Sequence, residues 1–297
     1  MNEALSDSVP PYILTIDLED WFHGLEPDPG RWDRFPRRAQ AATLRLLALL
    51  AAHRAKATFF VLGDVALACP DLVAEIAHQG HEIGSHGMLH RPIYTQTSGQ
   101  FRDDLRRSLD LLESITATKT VSYRAPYFSI IGKSLWALDV LRDEGLENDS
   151  SIIPVRNPRY GMPAAPRLPY PVRPGLWEWP VSTFPSILGN VPFAGGAYLR
   201  LFPRMVLRHA TRVLRKRREC LLFYLHPWEL DPDQPSYRCR SPLFTFTHYY
   251  GLKSTCGKLT TILEGGTCTT LNDARNLLRP EGLADSLHSW RAAPRAS

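Results

Sequence analysis

Short strand signals that end in polar residues alternate with helical stretches through the first half of this chain. Tyr12 to Ile16 is an apolar run followed by Asp17-Leu18-Glu19-Asp20. Ala57 to Leu62, His81 to Ser85, Val121 to Arg124 and Leu146 to Asp149 read as further strands. Between them lie helical patterns at Arg37 to His53, Asp71 to Gln79, Phe101 to Ile115 and Ser134 to Glu144. Pro70 and Gly80 bracket the second of these as start and stop signals. Strand and helix alternating at short spacing is the pattern of parallel βα units. A chain of 297 residues can close such units into one barrel, which takes ~250 residues.

The second half is less regular. Pro154 to Pro174 is proline-rich and reads as an ordered surface loop. Leu176 to Val181 reads as a strand. Trp179 to Leu199 carries no charge but is broken by Pro180, Pro185 and Pro192, so it reads as a loop rather than a membrane span. Arg204 to Arg218 is a basic helix, and Cys220 to Leu225 is an apolar strand ending at His226. Helices are expected around Cys256 to Leu263 and Leu271 to Leu278. Residues 1–11 would be an N-terminal arm, 12–278 one domain with an extension from about 228, and 279–297 a frayed tail.

Charge and cysteine usage narrow the function classes. The net charge is +5, part of it concentrated in the basic helix. That helix reads as the solvated outer face of a barrel, or as a contact with anionic lipid head groups or an acidic partner. It lacks interleaved aromatic residues, which argues against nucleic acid. The five cysteines form no CxxC pair, and with an odd number a disulfide framework is not expected. Met1 to Pro11 has no secretory pattern. These features suggest a cytoplasmic protein, or one at the inner face of the membrane.

In a parallel barrel the chemistry gathers at the C-terminal ends of the strands. Asp17, Glu19 and Asp20, His86 and His90, Arg124, Asp149 and His226 all fall there. Two imidazoles and a carboxylate suit a divalent metal with an open position, and a second carboxylate beside it is a ready general base. In an extended strand Asp17 and Glu19 share a face and Asp20 points away. Glu19 is therefore the favoured carboxylate ligand, with Asp20 as the alternative if the strand breaks there.

These residues carry a family resemblance. Thr15-Ile16-Asp17-Leu18-Glu19-Asp20, His86-Gly87-Met88-Leu89-His90, Arg124-Ala125-Pro126-Tyr127, Asp149-Ser150-Ser151 and Leu225-His226-Pro227 occur in the order found in polysaccharide deacetylases with a NodB homology domain, carbohydrate esterase family 4. The wording around Trp21-Phe22 and Phe223 to Glu229 is most similar to a bacterial branch associated with exopolysaccharide genes and the exosortase/PEP-CTERM system. The resemblance implies a distorted (β/α)7 TIM-like barrel. It also implies a hydrolase that removes N-acetyl groups from the amino sugars of an exopolysaccharide or its precursor, with a divalent cation, Zn²⁺ by preference, as cofactor.

The implied roles are specific. Asp17 would be the general base, His226 the general acid, and Arg124 would orient Asp17. The backbone N–H of Tyr127 would hold the oxyanion. His86, His90 and Glu19 would bind the metal. Trp21, Tyr94, Phe128 and Trp228 are candidate surfaces for a sugar ring. The expected partners are an N-acetylated glycan and, at the periphery, an anionic membrane or exopolysaccharide assembly proteins. The first motif departs from the common pair of adjacent aspartates, which leaves hydrolysis of a small cyclic amide as an alternative. A catalytically silent glycan-binding protein is the other.

Overall fold

The computed structural model describes residues 10–157, 160–238 and 241–277. The expected tail and residues 1–9 of the expected arm lie outside them. The chain runs β1 (Tyr12–Leu18), α1 (Ala39–Ala52), β2 (Thr58–Val61), α2 (Gly63–Ala68), α3 (Pro70–His78), β3 (Glu82–Ser85), α4 (Ser98–Thr116), β4 (Ser122–Tyr123), α5 (Ala137–Asp143) and β5 (Asn148–Asp149). There follow β6 (Tyr170–Arg173), β7 (Leu176–Glu178), β8 (Thr183–Ser186), β9 (Gly189–Pro192), α6 (Gly196–Leu201), α7 (Arg204–Lys216) and β10 (Leu221–Leu225). The last elements are α8 (Pro242–Tyr249), α9 (Leu252–Leu263), β11 (Cys268–Thr269) and α10 (Leu271–Leu277).

Strands pair in the order β10-β1-β2-β3-β4-β5-β7-β6. The first seven of these run parallel, and β6 joins β7 antiparallel at the edge. Beyond β7 the backbone N–H of Ser182 donates to the Leu222 carbonyl at 3.1 Å, which brings the chain back to β10. The sheet is a curled, parallel, distorted (β/α)7 barrel. Its central strand β1 is buried at every residue, as a strand covered on both faces must be. That explains why Tyr12 to Ile16 is a continuous apolar run and not an alternating one.

The outer helices form for legible reasons. Thr97 and Gln100 make a reciprocal capping box at the start of α4, and Phe101, Leu105, Leu109 and Leu112 form its buried stripe. Pro70 opens α3 and left-handed Gly80 follows it. The N-terminus of α1 is capped from a distance: the Asp20 carboxylate accepts from the N–H groups of Arg38 and Ala39 at 3.0 and 3.2 Å. Leu46 and Leu50 of α1 are fully buried against the barrel, and truncating either to Ala would cost about 2–5 kcal/mol.

Two proline-rich stretches expected as loops contain strands. The stretch 154–174 ends in a true strand, β6, which tolerates Pro171 because an edge strand can spare an N–H. The stretch 179–199 contains a separate hairpin, β8–β9, in which Phe184 opposes Val191, followed by the start of α6. Three further short elements, α2, α8 and β11, lie outside the expected strands and helices. Their stability comes from docking on the barrel rather than from a pattern of their own. No helix among the described residues is long and apolar enough to cross a membrane.

Candidate active site

The C-terminal ends of β1, β3, β4 and β10 converge on one cluster. After Leu18 the chain turns sharply, with the Glu19 N–H on the Asp17 carbonyl at 3.0 Å. Glu19 then reaches both histidines: its Oε1 lies 3.0 Å from His86 Nε2 and 3.1 Å from His90 Nε2. All three side chains are buried, and their ligand atoms lie within 4.8 Å of one another. The two histidines are not on a helix face. Gly87 and His90 both take left-handed backbone angles, and Asp104 accepts from the Met88 N–H at 2.7 Å, folding the segment into a loop that points both rings inward.

This donor set fits a cation. His86 Nδ1 is 2.8 Å from the carbonyl of Arg124, which can only accept, so Nδ1 carries the proton. A neutral His86 ring therefore turns a bare Nε2 lone pair toward the Glu19 carboxylate. Two acceptors at that distance repel unless a cation lies between them. His90 Nδ1 is buried with no hydrogen-bond partner, and burial pushes His90 toward its neutral, metal-binding form. Burial opposes ionisation of Glu19; protonated histidines outweigh it and hold the carboxyl well below its usual range, and with neutral histidines a bound cation would take over that part.

Asp17 faces the cluster from one side. Its Oδ1 accepts from Arg124 Nη1 at 2.7 Å, and Arg124 is completely buried. The same Nη1 also donates to Thr15 Oγ1 at 2.9 Å, while Nε donates to the Ser150 carbonyl at 2.9 Å and Nη2 to Ser150 Oγ at 2.7 Å. It also lies over the ring of Phe60, 4.4 Å from its centroid. Asp17 Oδ2 remains directed at His226, whose Nε2 is 3.9 Å away.

His226 follows β10 and stands 3.7 Å from Glu19 Oε1. Its Nδ1 is 2.8 Å from Glu229 Oε1, and Glu229 Oε2 accepts from Arg200 Nε at 2.6 Å. Burial disfavours the imidazolium, but Glu229, Glu19 and Asp17 together raise its pKa to about 9. Burial likewise opposes the Glu229 carboxylate, and Arg200 and His226 overcome this, lowering its pKa to about 2. Arg200 is itself anchored by the carbonyls of Thr247, His248 and Tyr250 at the end of α8.

Comparisons with known proteins bear on the family and the fold. Residues 31–146 match the family model for polysaccharide deacetylase, and residues 150–275 match a domain of unknown function, DUF3473. Over residues 31–146 the chain is thus similar to the polysaccharide deacetylase family. It is 32% identical over 98 residues to a peptidoglycan-N-acetylglucosamine deacetylase of Bacillus cereus, covering 33% of this chain and 36% of that protein. A chitooligosaccharide deacetylase of Rhizobium leguminosarum bv. trifolii is 31% identical over 99 residues, covering 33% of this chain and 43% of that protein. The chain thus spans well under half of these curated relatives.

Among solved structures, one assigned as a polysaccharide deacetylase from Mycobacterium smegmatis superposes with a TM-score of 0.59 at 19% identity, covering 98% of this chain and 95% of that one. A CE4 family pseudoenzyme from Bacillus anthracis gives 0.50 at 15% identity, covering 90% and 66%. The polysaccharide deacetylase fold therefore accommodates silent members, and any case for turnover rests on the side chains.

Several residues read from the sequence stand elsewhere than expected. Asp20 is turned away from the histidines and spends its carboxylate on Trp21, Arg38 and Ala39 N–H groups. Trp21 is not a sugar platform. It is buried, packs edge-on against Phe22 and Phe35, and donates to the Pro36 carbonyl at 3.0 Å. Trp228 is also unavailable: it is buried and stacked with both His226 and His248, at 4.9 and 4.1 Å. Phe128 packs on Tyr224 and beside Arg124. Tyr94 stays half-buried, with Lys133 over its ring. Tyr127 takes left-handed angles, as does Phe128 after it, which is costly for bulky residues. Arg200 went unnoticed in the sequence, because a buried arginine far from every motif gives no local signal. Glu229 sat next to the last motif but had no visible partner there.

Proposed function

We propose that this chain is a member of the polysaccharide deacetylase family and a metal-dependent hydrolase that releases acetate from N-acetyl amino sugars. The observation that carries the reading is the placement of Asp17 and His226. They flank one buried Glu19–His86–His90 cluster, each held from behind by its own partner. Glu19, His86 and His90 would hold the ion, for which we favour Zn²⁺ on the nitrogen-rich donor set. When bound, it would supply Lewis-acid polarisation of the water and of the acetamide carbonyl.

The remaining work falls to the chain. Asp17 Oδ2 takes the proton of the attacking water while Arg124 fixes the carboxylate through Oδ1. The backbone N–H of Tyr127 is assigned to the developing oxyanion. His226 Nε2–H donates to the sugar nitrogen as the C–N bond breaks, giving acetate and the free amine. Glu229 and Arg200 hold His226 in the protonated form and in the tautomer that presents Nε2. The named activities of the relatives on peptidoglycan and chito-oligosaccharides support the substrate class. Within that class we favour an exopolysaccharide or its precursor, on the wording of the first and last motifs.

We place the protein in the cytoplasm or at the inner face of the membrane. The unpaired thiols of Cys69, Cys220, Cys256 and Cys268 support a reducing compartment. The deciding experiment measures acetate release from acetylated chito-oligomers, from a peptidoglycan fragment and from a cyclic amide, with the metal present and after chelation. Metal-dependent acetate from the glycans is expected. Opening of the cyclic amide alone, or tight glycan binding without acetate, would overturn the reading.

A further inference from the structure

The surface formed by α6–α7 and α8 has no assigned role, and its chemistry is unusual. Helix α7 contains no acidic residue. It buries Leu207, Ala210 and Leu214 against the barrel, yet its outer side is not simply polar. Met205 is 82% exposed, and Val206 and the preceding Leu201 are also exposed. Arg208 and Arg212 project from the same outer side. Neither they nor Arg204 takes part in an ion pair among the described residues.

This strip continues onto α8. Arg200 donates to the carbonyls of Thr247, His248 and Tyr250, so the end of α6 is tied to the end of α8. The backbone at Gly251 lies directly on that of Arg200, and Arg204 lies over Gly257 of α9. The end of α8 thus meets the end of α6, and on α8 the exposed rings of Phe246 and Tyr250 lie 5.2 Å apart. Lys253, exposed one turn before Gly257, adds a further cation.

Exposed aliphatic and aromatic groups interspersed with unpaired arginines suit a lipid surface. Apolar side chains enter the acyl boundary of a bilayer while cations meet anionic head groups. Protein interfaces are also enriched in aromatic residues, Met and Arg, so the choice rests on charge: α7 offers cations only, with no acidic residue to set a register against a protein partner, and charge of one sign suits a polyanionic head-group surface. We propose that the α6–α7/α8 strip docks on a bilayer containing anionic lipid. The strip adjoins the active-site rim, since His248 of α8 stacks on Trp228, which stacks on His226. Docking would hold that rim close to the membrane surface.

The test needs no turnover, so its outcome is independent of the proposed reaction. The full chain is floated with vesicles of phosphatidylcholine alone and with vesicles of equal parts phosphatidylcholine and phosphatidylglycerol. Binding to the mixed vesicles only is expected, weakening as salt rises. Arg208→Glu and Arg212→Glu should each lower the partition coefficient by at least roughly fivefold. Met205→Asp with Phe246→Asp should abolish binding at unchanged melting temperature. Equal binding to both vesicle types, binding to neither, or wild-type binding by the Met205/Phe246 variant would each overturn the proposal. So would a dimer in lipid-free sedimentation that the Met205/Phe246 variant dissolves, because the strip would then be a protein interface.

Discussion

His226 Nδ1 and Glu229 Oε1 are 2.8 Å apart within one turn, and the same oxygen also accepts the His226 backbone N–H at 3.0 Å. One carboxylate thus fixes both the ring and the main chain of the candidate acid. Arg200 balances its charge from the far side. Glu229→Gln keeps the shape but removes the charge. Turnover of an N-acetyl sugar should fall about 100-fold, within the usual range for proton transfer. Hydrolysis of an activated aryl acetate, whose leaving group needs no proton, should fall far less. His226→Ala should give the same split more strongly. Equal losses on both substrates would assign His226 and Glu229 to folding or positioning instead.

Glu19, His86 and His90 form one donor cluster, so loss of any one should be felt in metal content. His86→Ala and His90→Ala should each lose the ion by elemental analysis while circular dichroism stays native. Full occupancy in both variants would remove the site from consideration.

Asp17 and Asp20 are three residues apart but hold different partners. Asp17→Asn should retain metal and lose activity by 100-fold or more, because an amide cannot take the water proton. Asp20→Ala should also retain metal. It strips the carboxylate from the start of α1, so about 1–2 kcal/mol of stability should be lost in urea unfolding. Loss of metal in the Asp20 variant would contradict the geometry.

His81 and His248 predict a loss of stability in mild acid. Burial, then Lys56, lowers the pKa of His81 to about 4, and burial, then Arg200, lowers that of His248 to about 3. The Ala57 N–H donates to His81 Nδ1, and His248 Nε2 bonds to Gln234 Oε1. Both rings are neutral when folded and would be protonated below about 6.5 when unfolded. The unfolded state then binds more protons, so stability is full above that pH and falls as acid is added, by up to about 2 kcal/mol per ring at pH 5. The unfolding midpoint followed from pH 7 to pH 5 should show this slope, and His248→Gln should flatten it. An unchanged slope in that variant would refute the assignment.

Much of the molecule was legible from residue order alone. The βα alternation implies a parallel barrel, because strands buried on both faces need continuous apolar runs. The strand-end positions of Asp17, Glu19, His86, Arg124 and His226 follow from where each run stops. Side-chain alternation favours Glu19 over Asp20 as the ligand, but β1 ends at Leu18, and it is the turn after it that aims Glu19 at the histidines.

Other features depended on contacts between segments distant in the chain. Asp20 became a cap only because α1 begins beside it. Arg200 joined the candidate acid through Glu229, 29 residues on. Trp21 and Trp228 were lost as sugar platforms because neighbouring elements cover them. Local sequence encodes backbone preference and the spacing of apolar faces. Which polar group meets which, and which aromatic ring stays exposed, is decided only when the barrel closes and brings those segments together.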